Sequence, residues 1–196
     1  MKRFSVLLTL LVCAATNGVA QNPYADGVRV TADSITYEVK RDNRHFFMLQ
    51  NVQNLLTTQN PIDLDGNPIE PGSYELGTLD MVSIKQAVTE TFSDSELCLL
   101  KNDNTALFIY LTKDMNGKVL EVVFNIQATP AALAIPINSY MLFEKKLKQC
   151  TRWKTLSSDE RNLQFSHESL LLNWNYLNIQ KNPDAEIAPD SLQTNP

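Results

Sequence analysis

The sequence is poor in the residues that build metal centres, phosphate-binding loops and cationic surfaces. Its 196 residues include 2 histidines and 3 cysteines, too few for the common multi-ligand His/Cys metal sets. It has 6 glycines and contains no Gly-x-Ser-x-Gly elbow, no glycine-rich phosphate loop and no dinucleotide fingerprint. Basic residues number 17 against 22 acidic ones, giving a formal net charge of −5. That sign excludes the positive footprint by which proteins hold nucleic acid. Beyond the first twenty residues, no run is apolar enough to cross a bilayer as a helix. What remains, with 43% hydrophobic and 20% charged residues, is the composition of a globular protein.

The N-terminus reads as an export signal. Lys2 and Arg3 form a short positive region, Phe4 to Ala15 a mostly apolar one, and Gly18-Val19-Ala20 puts small residues before a cleavage point. The apolar stretch is too short for a spanning helix. Residues 1–20 are therefore expected to be a signal peptide, cleaved between Ala20 and Gln21, which places the protein in the periplasm or outside the cell. Losing Lys2 and Arg3 takes the net charge from −5 to −7. Lipid anchoring at Cys13 is disfavoured, because Val12 precedes it and the apolar stretch runs on beyond it. Cys98 and Cys150 remain, and the oxidising destination permits a disulfide between them. Both also sit where small buried hydrophobes would, Cys98 in Glu96-Leu97-Cys98-Leu99-Leu100 and Cys150 on a helical apolar stripe.

Patterning along residues 21–179 predicts one α+β domain. Residues 21–27 form a polar lead-in, and residues 34–77 a hairpin and loops. Its strands are the alternating Ile35, Tyr37 and Val39 and then His45 to Leu49, with Asp42-Asn43 as the turn. Turn dipeptides then crowd together from Asn60-Pro61 to Pro71-Gly72. Residues 80–177 read as helix, meander, helix and strand. Asp80 caps a helix reaching Thr91, and a three-stranded meander follows over Leu97–Lys101, Ala106–Thr112 and Val119–Ile126, with Asp114-Met115-Asn116-Gly117 as its clearest turn. Residues 127–138 are a linker. A helix capped by Asn138 or Ser139 carries Tyr140, Phe143, Leu147 and Cys150 on its apolar stripe and Lys145, Lys146, Lys148 and Arg152 on its solvated face. A final strand over Leu163–Leu177 places Leu170, Leu172, Trp174 and Tyr176 on one face, and residues 180–196 are a disordered tail.

Tests for chemistry find little. Asp63-Leu64-Asp65-Gly66 lacks the spacing of a calcium loop and fits a tight turn. His45 and His167 lie in no metal-ligating or catalytic arrangement. Trp153 and Trp174 suit the core better than an exposed sugar platform. No catalytic, cofactor or metal residue is assigned.

The order Leu107–Leu111, then Asn116-Gly117-Lys118-Val119, then Leu120–Phe124, then a helix ending at Arg152-Trp153-Lys154 before a closing strand resembles the TonB C-terminal domain over residues 105–177. The family's Trp-x-Pro is replaced by Trp153-Lys154-Thr155, and no Pro-rich periplasmic span is present. The resemblance implies a fold and a binding role, not energy transduction to outer-membrane receptors. The chain also looks like small exported proteins of Gram-negative bacteria. The expectation is an antiparallel sheet with at least two helices on one face. The expected function is that of a non-enzymatic envelope protein, without cofactor, that binds a protein or peptide at a sheet edge. The alternative is a small carbohydrate-binding protein or hydrolase, marked by a cleft that gathers a histidine with carboxylates.

Overall fold

The computed structural model describes residues 22–32, 35–41, 45–70, 73–74, 78–150, 153–155, 162–172 and 174. Residues 1–20, expected to be a signal peptide, the expected turn at Asp42-Asn43, Tyr176 and the residues from 180 on lie outside the described residues, as do the side chains of Cys150 and Trp153.

The fold is α+β. An antiparallel seven-stranded sheet runs in the order β1-β2-β3-β7-β6-β9-β4. Its strands are β1 (Arg29–Ala32), β2 (Ile35–Lys40), β3 (Phe46–Asn51), β4 (Ile62–Asp63), β6 (Leu107–Asp114), β7 (Val119–Gln127) and β9 (Leu163–Leu172). A separate pair joins β5 (Thr78–Leu79) to β8 (Trp153–Thr155). The expected 35–49 hairpin is present as β2 and β3. The expected polar lead-in over residues 21–27 buries Tyr24, whose ring lies 4.8 Å from that of Phe47, and the strand β1 after it, for which no element was expected, adds to β2.

The period-2 pattern chooses the buried face. Val39, Leu49, Phe124 and Ile109 lie in one cross-strand row, with Phe47, Ile126, Leu107 and Leu172 in the next. All are buried, which is what alternation on a sheet with one covered face requires. Helix α4 (Ile137–Cys150) covers this face through Tyr140, Phe143 and Leu147. The Phe143 ring stacks on Phe124 at 5.5 Å and 10°. Helix α1 (Met81–Thr91) packs on α4, burying Ile84, Ala87 and Val88 at helical spacing, with the Asp80 carboxylate accepting from Val82 N as the cap. Lys146 Nζ meets Glu90 Oε2 across this pair at 2.6 Å.

Three expectations are corrected. Leu97–Lys101 is not a strand but part of helix α2 (Asp94–Asn102). Ser93 and Glu96 form a reciprocal capping box, and Leu97 and Leu100 are buried three residues apart while Leu99 is exposed, a helical and not an alternating pattern. The meander therefore reduces to the β6–β7 hairpin, flanked by β3 and β9. The presumed 127–138 linker contains the short helix α3 (Pro130–Ala134), started by Thr129 as cap and Pro130 at its first position. The last strand stops at Leu172, and Trp174 lies in a turn.

The β6–β7 turn is the one expected. Asp114 Oδ1 accepts from Asn116 N and Lys118 N, and Gly117 takes φ 75°, the left-handed position that glycine fills without cost. A bulge follows, so that Lys113 pairs with Val119 while Thr112 pairs with Glu121. It lets both Val119 and Val122 join the core although they are three residues apart. Among the described residues no helix is long and apolar enough to cross a membrane.

Candidate functional site

The face of the sheet away from the core carries its own register. Gln50, Val123, Tyr110 and Ser169 form one row across β3, β7, β6 and β9, and Glu121, Thr112 and His167 form the next. A groove of about 540 Å³ opens over these rows. Met48 and Val123 supply apolar floor, Tyr110 stands 39% exposed, and Gln50, Thr57, Thr58, Thr112, His167 and Ser169 add polar groups around them.

One wall is the segment from Val52 to Pro61, which crosses from β3 to the far side of β9. Its position is fixed by a buried acid. The Glu121 side chain points out of β7 into a concavity of backbone amides and accepts from Leu55 N at 2.7 Å, Leu56 N at 2.9 Å and Thr57 N at 2.9 Å. A carboxylate facing successive N–H groups makes strong, charge-assisted bonds. Asn54 Nδ2 donates to Val122 O at 2.8 Å, filling a β7 acceptor just past the last β3–β7 pair.

His167 closes the far end. Its Nε2 lies 2.9 Å from Gln59 O, and a carbonyl can only accept, so Nε2 carries the proton. Nδ1 then accepts from Thr112 Oγ1 at 3.1 Å in the neutral ring. Both ring nitrogens are committed to holding the wall. The main chain of His167 is held as well, its N–H donating to Tyr74 Oη at 3.0 Å and its carbonyl accepting from the same hydroxyl at 3.3 Å. Beside it, the Glu168 carboxylate accepts from Ser169 N at 2.9 Å. Two successive outward-facing positions on the β9 edge are thus already occupied.

Other residues singled out in the sequence fall elsewhere. His45 is exposed at the start of β3, away from the groove. Trp174 is buried edge-on to Phe92 with Nε1 donating to Thr105 O at 2.7 Å, so it offers no sugar platform. Cys98 is not the buried residue expected. It is an exposed free thiol on α2, accepting from Asn102 Nδ2 at 3.4 Å. Asp63 serves its turn, accepting from Asp65 N and Asn67 N, and these bonds, led by the Asn67 amide, hold its carboxyl below the usual carboxylate range. Among the described residues no three His, Cys, Asp or Glu side chains converge as metal ligands would.

A second buried polar cluster lies on the covered face. Glu144 of α4 accepts from Tyr37 Oη and from Asn51 Nδ2, and pairs with Lys148 one turn on. Burial first, then the Glu144 charge, pushes the Tyr37 hydroxyl far above the ordinary tyrosine range. The cluster ties α4 to β2 and β3 and is not part of the groove lining.

This architecture has a solved counterpart. It is similar to the crystal structure of a DUF5043 family protein from Bacteroides uniformis, with a TM-score of 0.63 and 24% identity over 76% of this chain and 86% of that one. The likeness shows the fold alone. No family model matches the sequence, and no curated protein does.

Sequence reasoning missed the groove because its parts are remote in the chain. Gln59, Thr112 and His167 meet only through the β6–β9 register and the 52–61 crossing. One signal was available: Glu121 among the apolar residues of β7 is a carboxylate placed where burial demands a partner.

Proposed function

We propose that the chain is an exported, non-catalytic binding module of the cell envelope, with the open-face groove as its binding surface. The carrying observation is that the groove is built in advance. Its wall is held by the Glu121 carboxylate at one end and by His167 at the other, so a ligand meets a formed surface and pays little ordering entropy. The engagement of both His167 ring nitrogens supports binding over general-base chemistry. The export signal at residues 1–20 and the TonB-like order of residues 105–177 support an envelope role.

The surface used is the sheet face and not the β9 edge, where Tyr74 already takes the His167 N–H and C=O and Glu168 the Ser169 N–H. The test immobilises the processed chain and passes the host's own envelope extract over it. Capture lost in Tyr110→Lys but kept when Val30→Pro disrupts the β1 edge is the expected result. Capture lost in Val30→Pro and kept in Tyr110→Lys overturns the reading.

A further inference from the structure

We infer that the groove takes a neutral carbohydrate, with Tyr110 as the stacking platform; this rests on the groove being the binding surface. Charge is the first argument. Among the described residues lining the groove there is no lysine or arginine, and its one acid, Glu168, is engaged by Ser169 N. The nearby cation Lys40 touches the groove only through Gln50 Oε1 at 3.3 Å and is paired with Glu38 at 3.4 Å. An anionic ligand would therefore be desolvated without a countercharge, and a cationic one would find no uncommitted carboxylate.

Shape and polarity are the second. Tyr110 lies mid-row between Val123 and Ser169 and is 39% exposed. A pyranose presents one face of C–H groups, which an aromatic face attracts through its quadrupole while both bury apolar area. Around that platform the polar groups are hydroxyls and an amide, from Thr58, Thr112, Ser169 and Gln50. Gln50 is bonded to Lys40 through Oε1 and to Thr57 Oγ1 through Nε2, and Thr58 gives its proton to Leu55 O, so what these groups chiefly offer a sugar hydroxyl is oxygen lone pairs. Thr112 gives its proton to His167 Nδ1, which leaves its oxygen as an acceptor.

The third argument separates a sugar from a peptide. A peptide lying on the sheet face brings a main-chain donor and acceptor per residue, and the most regular partners for them are the main-chain groups of an open strand edge. On the neighbouring β9 edge the His167 N–H and C=O are taken by Tyr74 Oη and the Ser169 N–H by the Glu168 carboxylate, which disfavours regular strand addition there.

The test is calorimetric titration of the processed chain with maltohexaose, cellohexaose and xylohexaose, with polygalacturonate and an uncharged peptide library as competitors. The Met48 methyl and Val123 methyl resonances locate the site. The inference expects at least one neutral oligosaccharide to bind and to move both resonances. Tyr110→Ala should weaken it at least tenfold and Tyr110→Phe less than threefold, with the circular dichroism of both variants unchanged. Preferential binding of polygalacturonate overturns the neutral assignment. Peptide binding at Met48 and Val123 without sugar binding overturns the carbohydrate class and leaves the groove standing. If neither these probes nor envelope extract moves the two resonances, the groove itself is not the site.

Discussion

At the scale of single residues, two buried tyrosines on the covered face have opposite fates. Tyr37 donates to the Glu144 carboxylate, whereas Tyr140 Oη has no hydrogen-bond partner among the described residues. A buried hydroxyl without a partner forfeits its hydration for nothing, while one bonded to a carboxylate holds that charge in place. Tyr37→Phe is therefore expected to cost about 1–3 kcal/mol, and Tyr140→Phe to be neutral or stabilising by about 1 kcal/mol. Urea denaturation of the two variants checks both signs. Equal destabilisation would show that the Tyr140 hydroxyl stabilises the fold as much as that of Tyr37 and would contradict the contrast drawn from their partners. Cys98 teaches a related lesson about context. In a run of leucines it reads as a core residue, yet helical geometry turns it outward while Leu97 and Leu100 face in.

At the scale of elements, the decisive local signals were polar. The capping box at Ser93 and Glu96 makes α2 a helix where the run of apolar residues suggested a strand. Thr129 and Pro130 likewise start α3 inside a stretch that its two prolines made look irregular. By contrast β2, β3, α1, β6, β7 and α4 were legible from apolar patterning together with cap and turn residues such as Asp80 and Asp114-Met115-Asn116-Gly117. Glu96 also links elements, its Oε1 accepting from Ser139 of α4 at 2.7 Å. Burial opposes its charge, but bonds from Ser139 and Ser93 prevail and keep its carboxyl below the usual glutamate range. A depressed folded value gives stability that is present above the unfolded pKa of roughly 4.3 and is lost as pH falls through the folded one. Glu96→Gln should therefore flatten the acid limb of the stability curve below about pH 4.3, and an unchanged acid limb would contradict the linkage. Glu121 acts on a different element. Glu121→Ala removes the acceptor of three amides, so Leu55, Leu56 and Thr57 should exchange with deuterium far faster while core amides of β6 keep their protection. Uniform acceleration would mean that the substitution unfolds the sheet and not the wall alone.

At the scale of the whole molecule, one sheet is used twice. One face is closed by α4 and α1 and carries the aromatic core, and the other keeps Tyr110, Met48 and Val123 under an open groove. Composition and period make the first face readable, since burial leaves a mark in every covered strand. The second face leaves almost none, because threonines, a serine and a glutamine on a strand look like an ordinary solvated surface until the register sets them beside Tyr110. The crossing segment that turns this face into a groove was legible only as a cluster of turns, and its attachment to Glu121 belongs to the fold. The account stands on that attachment. It is tested most directly by recording the Met48 and Val123 methyl spectrum of residues 21–196 with and without the host's envelope extract, for the native protein and for Glu121→Ala. The account predicts shifts of both resonances in the native protein and their loss when the wall is released. Shifts confined to the β1 edge, or groove shifts indifferent to Glu121→Ala, would contradict it.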